Sequence, residues 1–262
     1  MTSSETSILQ ETIDESAEYW DEHFTKPDKS VDRLLSYYAD RRLEIFGEHI
    51  EHPSLELGPG IGEFAEKAGI THVLDVSRES LKRVQKRLPG IVASHYTDLP
   101  LPYAAGSLRS MVCSDVLHHV KETIPLTDFS QEAHRVLAED GLLLVADRRP
   151  TLLNRLFLVA NQIGRALYLK LAPGRSVTSG DVELPMEKSD YAALYVQFEV
   201  VSVIGYRSLP MVLVNAASFF LSLVVPARYL SGPVFTLFAF CERRLPVLMM
   251  DHLLVLRRRT PE

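Results

Sequence analysis

Glu56, Gly58, Gly60 and Gly62 stand in the order Glu-x-Gly-x-Gly-x-Gly, directly after a short apolar run that opens at Ser54. A strand ending in closely spaced glycines lets the backbone approach a ligand, and the helix that follows offers unpaired N–H groups at its start. That is the outline of a nucleotide-type pocket. Spacing narrows the ligand. A dinucleotide site wants a glycine at the sixth place counted from Gly58, but Glu63 stands there and would repel a pyrophosphate. Asp75 closes the next strand-like run, Thr71 through Asp75, at the end where open α/β sheets make their ligand contacts. Asp75 is also a candidate cap for the helix that begins near Ser77, although Ser77 is the better cap. His118 and His119 follow a later strand-like run, and an imidazole there can act as a general base because its ordinary pKa lies near neutrality.

These residues need a scaffold, and the pattern around them supplies one. Residues 31–50 repeat apolar positions at helical spacing and lead into the run at Ser54. After the glycine turn, Glu63 to Ala68 predicts a helix of about two turns, ended by Gly69. Residues 78–88 predict a second helix, with Leu81, Val84 and Leu88 on one face and Lys82, Arg83, Lys86 and Arg87 on the others. Ile91–Ser94 and Ser110–Ser114 read as strands, Phe129–Leu137 as an amphipathic helix that stops before Asp140-Gly141, and Leu142–Asp147 as a strand buried on both faces. Tyr191–Tyr195, Phe198–Ile204 and residues 251–258 predict a last helix and two more strands. Strand and helix alternate from 54 to 147, which predicts a doubly wound α/β sheet.

Taken together, Glu56 with the three glycines, Asp75 at the next strand end and the segment Asp98-Leu99-Pro100-Leu101-Pro102-Tyr103 resemble the motifs of class I S-adenosylmethionine-dependent methyltransferases of the small-molecule, type 11-like kind. The resemblance implies a seven-stranded Rossmann-like sheet with its last strand antiparallel and S-adenosyl-L-methionine as cofactor. It also implies roles: the glycine loop of Gly58, Gly60 and Gly62 against the methionine part, Glu56 on its amino group, Asp75 on both ribose hydroxyls and Asp98 near the adenine. The ribose role is chemically sound, because vicinal hydroxyls are paired donors and a carboxylate is a paired acceptor. Two departures stand out. Thr97 occupies the usual acid position with Asp98 one place late, and Arg109 replaces an acid common in the turn before the fourth strand. In the resembled family histidines are frequent at the position of His118 and His119 whatever the substrate, so both a structural and a catalytic role stay open; of the two, His118 is narrowly preferred as base.

Composition bounds the partners. The 262 residues carry a net charge of -6, split unevenly: 14 Lys and Arg against 26 Asp and Glu over residues 1–147, and 14 against 8 over 148–262. An acidic front half argues against a nucleic-acid substrate, while a basic, apolar rear half suits an anionic membrane surface. Cys113 and Cys241 are far apart in apolar runs, which suggests a reducing compartment, and neither CxxC nor HExxH spacing occurs, so no metal site is expected. The polar, acidic start lacks a signal-peptide pattern, and the expected location is the cytoplasm, with membrane association open.

The pattern divides the chain into an N-terminal acidic, helical segment over 1–50, a cofactor-binding core over 51–150 and a C-terminal part over 151–262. Tyr19 and Trp20 in the first segment suit either a lid over the pocket or a staple to the core. Residues 152–171 predict a long apolar helix. Between the last two strands lies an apolar helical insertion, 209–250, uncharged from Ser208 to Ala227 but bracketed by Pro210 and Pro226, about fifteen residues apart and short for crossing a bilayer. Peripheral membrane contact, a cover over a greasy acceptor, buried helices and a homodimer face all remain open for it. The expected activity is O- or C-methylation of a hydrophobic small molecule: a polyketide, an isoprenoid or quinone precursor, or a lipid-linked intermediate. The alternative is an inactive methyltransferase-like module anchored to a membrane or partner protein.

Overall fold

The computed structural model describes residues 39–148, 151, 154, 159, 186–208, 240 and 249–260. The expected aromatic lid at Tyr19 and Trp20, the helix over 152–171 except Asn154 and Val159, Cys241 and all of the 209–250 insertion except Phe240, Met249 and Met250 lie outside them. Among the described residues no helix is long and apolar enough to cross a membrane.

Seven strands form one sheet: β1 (Ser54–Leu57), β2 (His72–Asp75), β3 (Val92–His95), β4 (Leu108–Ser114), β5 (Leu137–Arg148), β6 (Phe198–Ser208) and β7 (Met249–Arg258). Their spatial order is β3-β2-β1-β4-β5-β7-β6. The pairs among β1 to β5 are parallel, and β7 runs antiparallel to both neighbours. This is the doubly wound sheet with a reversed last strand that the sequence predicts. The strand order reverses between β1 and β4, and ligands in such sheets bind at the carboxyl ends of the strands flanking that reversal.

Helices among the described residues include α1 (Glu63–Ala68), α2 (Arg78–Arg87), α3 (Leu117–Thr123), α4 (Leu126–Val136) and α5 (Lys188–Gln197); residues 39–46 are also helical. Strand residues alternate between two apolar layers. On one face Val73, Val112, Leu144 and Val255 pack with Phe64 of α1, Leu81 and Val84 of α2, and Phe46. On the other, Leu55, Leu57, Met111, Cys113, Leu143 and Val145 pack with Phe129 and Ala133 of α4 and Leu194 of α5. Each fully buried Phe or Leu contributes roughly 1.5–3 kcal/mol, so the sheet is held from both sides and its strand ends are fixed.

Local chemistry sets the boundaries. Gly69, at φ +64, ends α1 in the left-handed region as its position predicts. Ser77 caps α2, its Oγ accepting from the Ser80 N–H at 3.0 Å. The helix expected over Phe129–Leu137 instead starts at Leu126 and stops at Val136, and β5 begins at once, so that Leu137 pairs with Leu108 before the register shifts and resumes at Ser110↔Leu142. Asp140 and Gly141 are therefore inside a strand irregularity and not a helix end. Glu132 ties α4 to the loop before β4: it accepts from the Leu101 N–H at 2.6 Å and from Arg135 Nε at 2.8 Å. Hydrogen bonding by Arg135 holds its carboxyl below the ordinary range.

Candidate active site

Three chain segments meet at the reversal. Leu57 at the end of β1 pairs with Cys113 near the end of β4, so the glycine turn after β1 and the turn after β4 are neighbours. Gly58, Gly60 and Gly62 have φ of +66, +56 and +74, a conformation that favours glycine at all three. At Gly58 there is a second reason: a Cβ would lie 2.8 Å from Val116 Cγ2, in the turn after β4. The bare backbone of the glycine turn thus carries the side chain that leads into His118.

Glu56 is buried inside β1, with one carboxylate oxygen near the Ala65 N–H of α1 and the other, Oε2, without a hydrogen-bond partner among the described residues. Burial pushes its pKa up to about 7; Arg42 opposes that rise, and nearby Asp75 adds to it. Two buried carboxyls close together, one with an unused acceptor, form a place for a cation.

Asp75 lies at the end of β2 as expected. Its Oδ1 accepts from the Ser77 N–H at 2.9 Å and its Oδ2 from Ser80 Oγ at 2.7 Å, while Ser80 Oγ is also 2.8 Å from the Gly60 carbonyl. Asp75 therefore ties the glycine turn to the start of α2, and Ser77, not Asp75, is the helix cap. Asp98 is exposed in the loop after β3, its Oδ1 taking the N–H of Leu99 at 2.7 Å. Arg109, which replaces an acid, points outward and pairs with Glu51 at 2.7 Å.

The turn after β4 opens with Asp115 at φ 52 and continues into α3, so His118 stands in the first turn of that helix. His118 is buried, and its Nδ1 lies 2.8 Å from Asp147 Oδ1 at the end of β5; its backbone N–H reaches Asp147 Oδ2 at 3.3 Å. A carboxylate at Nδ1 holds the ring with its proton there and its basic lone pair on Nε2. His119 packs on His118 with ring centroids 4.1 Å apart and is half-buried. His118 is thus held in one orientation by a carboxylate at Nδ1.

Sequence reasoning missed two residues. Asp147 shows itself only as a polar residue ending a wholly apolar strand beside the reversal, a signal available in the sequence. Arg42, whose guanidinium stands 5.2 Å from the Phe64 ring centroid, lies in an amphipathic helix where no spacing marks it. Among the described residues no group of three His, Cys, Asp or Glu could hold a metal ion, and Cys113 is buried with its thiol pKa pushed well up.

The family model described as a methyltransferase domain matches residues 55–145, from β1 into β5. No curated protein matches the chain. Among solved structures, the geranyl diphosphate C-methyltransferase of Streptomyces coelicolor A3(2), in complex with Mg2+, geranyl diphosphate and S-adenosyl-L-homocysteine, is similar with a TM-score of 0.51 at 13% identity, over 87% of this chain and 82% of that one. A putative sarcosine dimethylglycine methyltransferase from Galdieria sulphuraria aligns with a TM-score of 0.50 at 14% identity, over 86% and 85% of the two chains. At such identities the likeness is one of fold, and it extends well beyond the 91 residues of the domain. The matched domain, the glycine turn with its buried acid and the reversed last strand agree: the chain carries a methyltransferase domain over residues 55–145, set in the Rossmann-like sheet of the methyltransferase fold.

Proposed function

We propose that the enzyme methylates a hydrophobic small molecule at an oxygen or carbon that must lose a proton, with His118 as its base. The observation that carries this reading is the buried His118–Asp147 pair at the strand ends beside the glycine turn. Three features fit the cofactor: Glu56 with an open acceptor oxygen, the left-handed glycines and Asp75 at the end of β2. When bound, S-adenosyl-L-methionine supplies an electrophilic methyl on a sulfonium centre that departs as a neutral thioether.

The chain's own residues do the rest. Glu56 takes the ammonium, Gly58, Gly60 and Gly62 allow close backbone approach, and Asp75 accepts from the ribose. Asp98 lies on the adenine side, where its exposed carboxyl makes the weakest of these contacts. His118 Nε2 receives the acceptor's proton as the acceptor attacks the methyl, and Asp147 stabilises the imidazolium that results. Holding both partners in line away from water supplies much of the rate.

Two features support an apolar acceptor: the uncharged run from Ser208 to Ala227 and the fold similarity to a methyltransferase named for an isoprenoid diphosphate. The same run supports peripheral membrane contact by a cytoplasmic enzyme. The test is incubation of the enzyme with methyl-labelled S-adenosylmethionine and a cell extract, followed by solvent partition. Label in the organic phase, lost with His118→Gln, is the expected result. Label only in the aqueous phase overturns the acceptor class, and no transfer at all overturns the catalytic reading.

A further inference from the structure

Arg42 lies in the helical segment 39–46 that precedes β1, and its guanidinium stands over the ring of Phe64, the second residue of α1. Ala65, the next residue, presents its backbone N–H to Glu56. Arg42 and Glu56 therefore flank the same first turn of the helix that leaves the glycine bend, one as a cation and one as an anion. They do not satisfy each other. Arg42 Nε and Glu56 Oε2 are both shut off from solvent, and neither has a hydrogen-bond partner among the described residues.

A guanidinium N–H buried without an acceptor is costly, and stacking on an aromatic ring offsets only part of that cost. A cation and an anion with unused hydrogen-bonding capacity, set at one glycine turn, match a ligand that carries an ammonium and a carboxylate on one carbon. The cofactor assigned above ends in such an α-amino acid. Glu56 and Asp75 alone would attract its positive groups and repel its carboxylate; Arg42 removes that conflict, and its planar fork suits a carboxylate better than a lysine would.

The geometry points to Arg42 as the anchor of the cofactor's α-carboxylate, clamping the amino-acid end against Glu56 at the foot of α1. This rests on the cofactor reading above, and the choice of ligands separates the two. Decarboxylated S-adenosylmethionine keeps the nucleoside, sulfonium and ammonium but lacks the carboxylate. Calorimetry near pH 8, about one unit above the Glu56 value so that this acid is ionised, compares both ligands on the wild-type protein and on Arg42→Gln and Arg42→Lys.

Wild type should prefer the complete cofactor by roughly tenfold to a hundredfold, the worth of a charge-assisted hydrogen bond. Arg42→Gln should lose that preference while binding the decarboxylated ligand within about threefold of wild type, and Arg42→Lys should recover part of it. A wild-type protein that binds both ligands equally overturns the carboxylate role and leaves the cofactor assignment standing. The carboxylate role also falls if Arg42→Gln weakens both ligands alike, because Arg42 would then act only on the local fold. Binding of neither ligand by wild type overturns this inference together with the cofactor reading.

Discussion

His118 Nδ1 and Asp147 Oδ1 are 2.8 Å apart across the ends of two neighbouring parallel strands, both side chains almost wholly out of water. The pair is not local: His118 belongs to the helix after β4 and Asp147 stands next to the last residue of β5, so the sheet register sets their distance. Asp147 also accepts the His118 backbone N–H, which fixes the start of that helix together with the ring.

If His118 is the base, Asp147→Asn leaves the packing nearly unchanged but presents an amide where the ring needs an acceptor. We expect the methyl-transfer rate to fall about a hundredfold or more, the range of a positioned general base, with S-adenosylmethionine affinity within about threefold of wild type. His118→Gln should fall as far, and the double variant no further, since groups that act as a unit are not additive. Single-turnover rates alongside calorimetric affinities check this, and a rate loss below about threefold in both single variants would assign the pair to structure alone.

Burial sets the pH behaviour at Glu56. Its folded value of about 7 lies above its ordinary 4.5, so the folded protein holds this proton more tightly than the unfolded chain. The resulting stabilisation is complete below about pH 4.5 and is lost as pH rises through about 7, a change of about 3 kcal/mol across the window. Only the ionised form receives the cofactor's ammonium. Affinity should therefore weaken by about tenfold per pH unit below about 7 and level off above it. Glu56→Gln should be more stable than wild type near pH 8 in urea titrations, and should bind weakly with no such pH dependence. A wild-type affinity flat from about pH 5.5 to 8 would remove Glu56 from the cofactor's ammonium.

The sheet was legible because its signals are local and redundant. Apolar runs bounded by Gly58, Gly69 and Ser77 predict strands and helices whose ends the structure reproduces nearly to the residue. The boundary at Leu137 failed because Asp140-Gly141 reads as a turn, whereas pairing of Leu137 with Leu108 draws the chain into the sheet earlier. In the site, Glu56, Gly58 and Asp75 follow from spacing. Asp147 and Arg42 do not, since each matters through a residue 29 or 14 positions away: the His118–Asp147 contact is a product of register, and the Arg42–Glu56 proximity a product of helix docking. Asp98, chosen from motif register, lies exposed in the loop after β3.

Gly58 and Gly69 separate steric contact from backbone strain. Both have positive φ, +66 and +64, but an added Cβ at Gly69 meets nothing within 4 Å, whereas at Gly58 it lies 2.8 Å from Val116 Cγ2. Gly69→Ala should cost about 1–2 kcal/mol from left-handed strain. Gly58→Ala should cost a further 1–3 kcal/mol or so from overpacking, and Val116→Ala in the same chain should recover part of that excess. Urea denaturation of the three variants and the double measures it; equal costs at Gly58 and Gly69 would mean that Val116 moves aside freely and does not brace the glycine turn.

Ser80 offers a test of the ribose assignment that does not depend on activity. Its hydroxyl is within 2.8 Å of both Asp75 Oδ2 and the Gly60 carbonyl, and its single proton serves one of them at a time. A ribose bound at Asp75 would supply its own hydroxyl to Oδ2 and leave Ser80 to the carbonyl, so the exchange keeps each acceptor served. Asp75→Ala should then lower S-adenosylmethionine affinity by roughly tenfold to a hundredfold, while Ser80→Ala should stay within about threefold. Adenosine should bind wild type more tightly than 3′-deoxyadenosine, and Asp75→Ala should abolish that difference because the acceptor for the missing hydroxyl is already gone. If Asp75→Ala preserves the preference, the ribose is held elsewhere, and Asp75 serves only to join the glycine turn to α2.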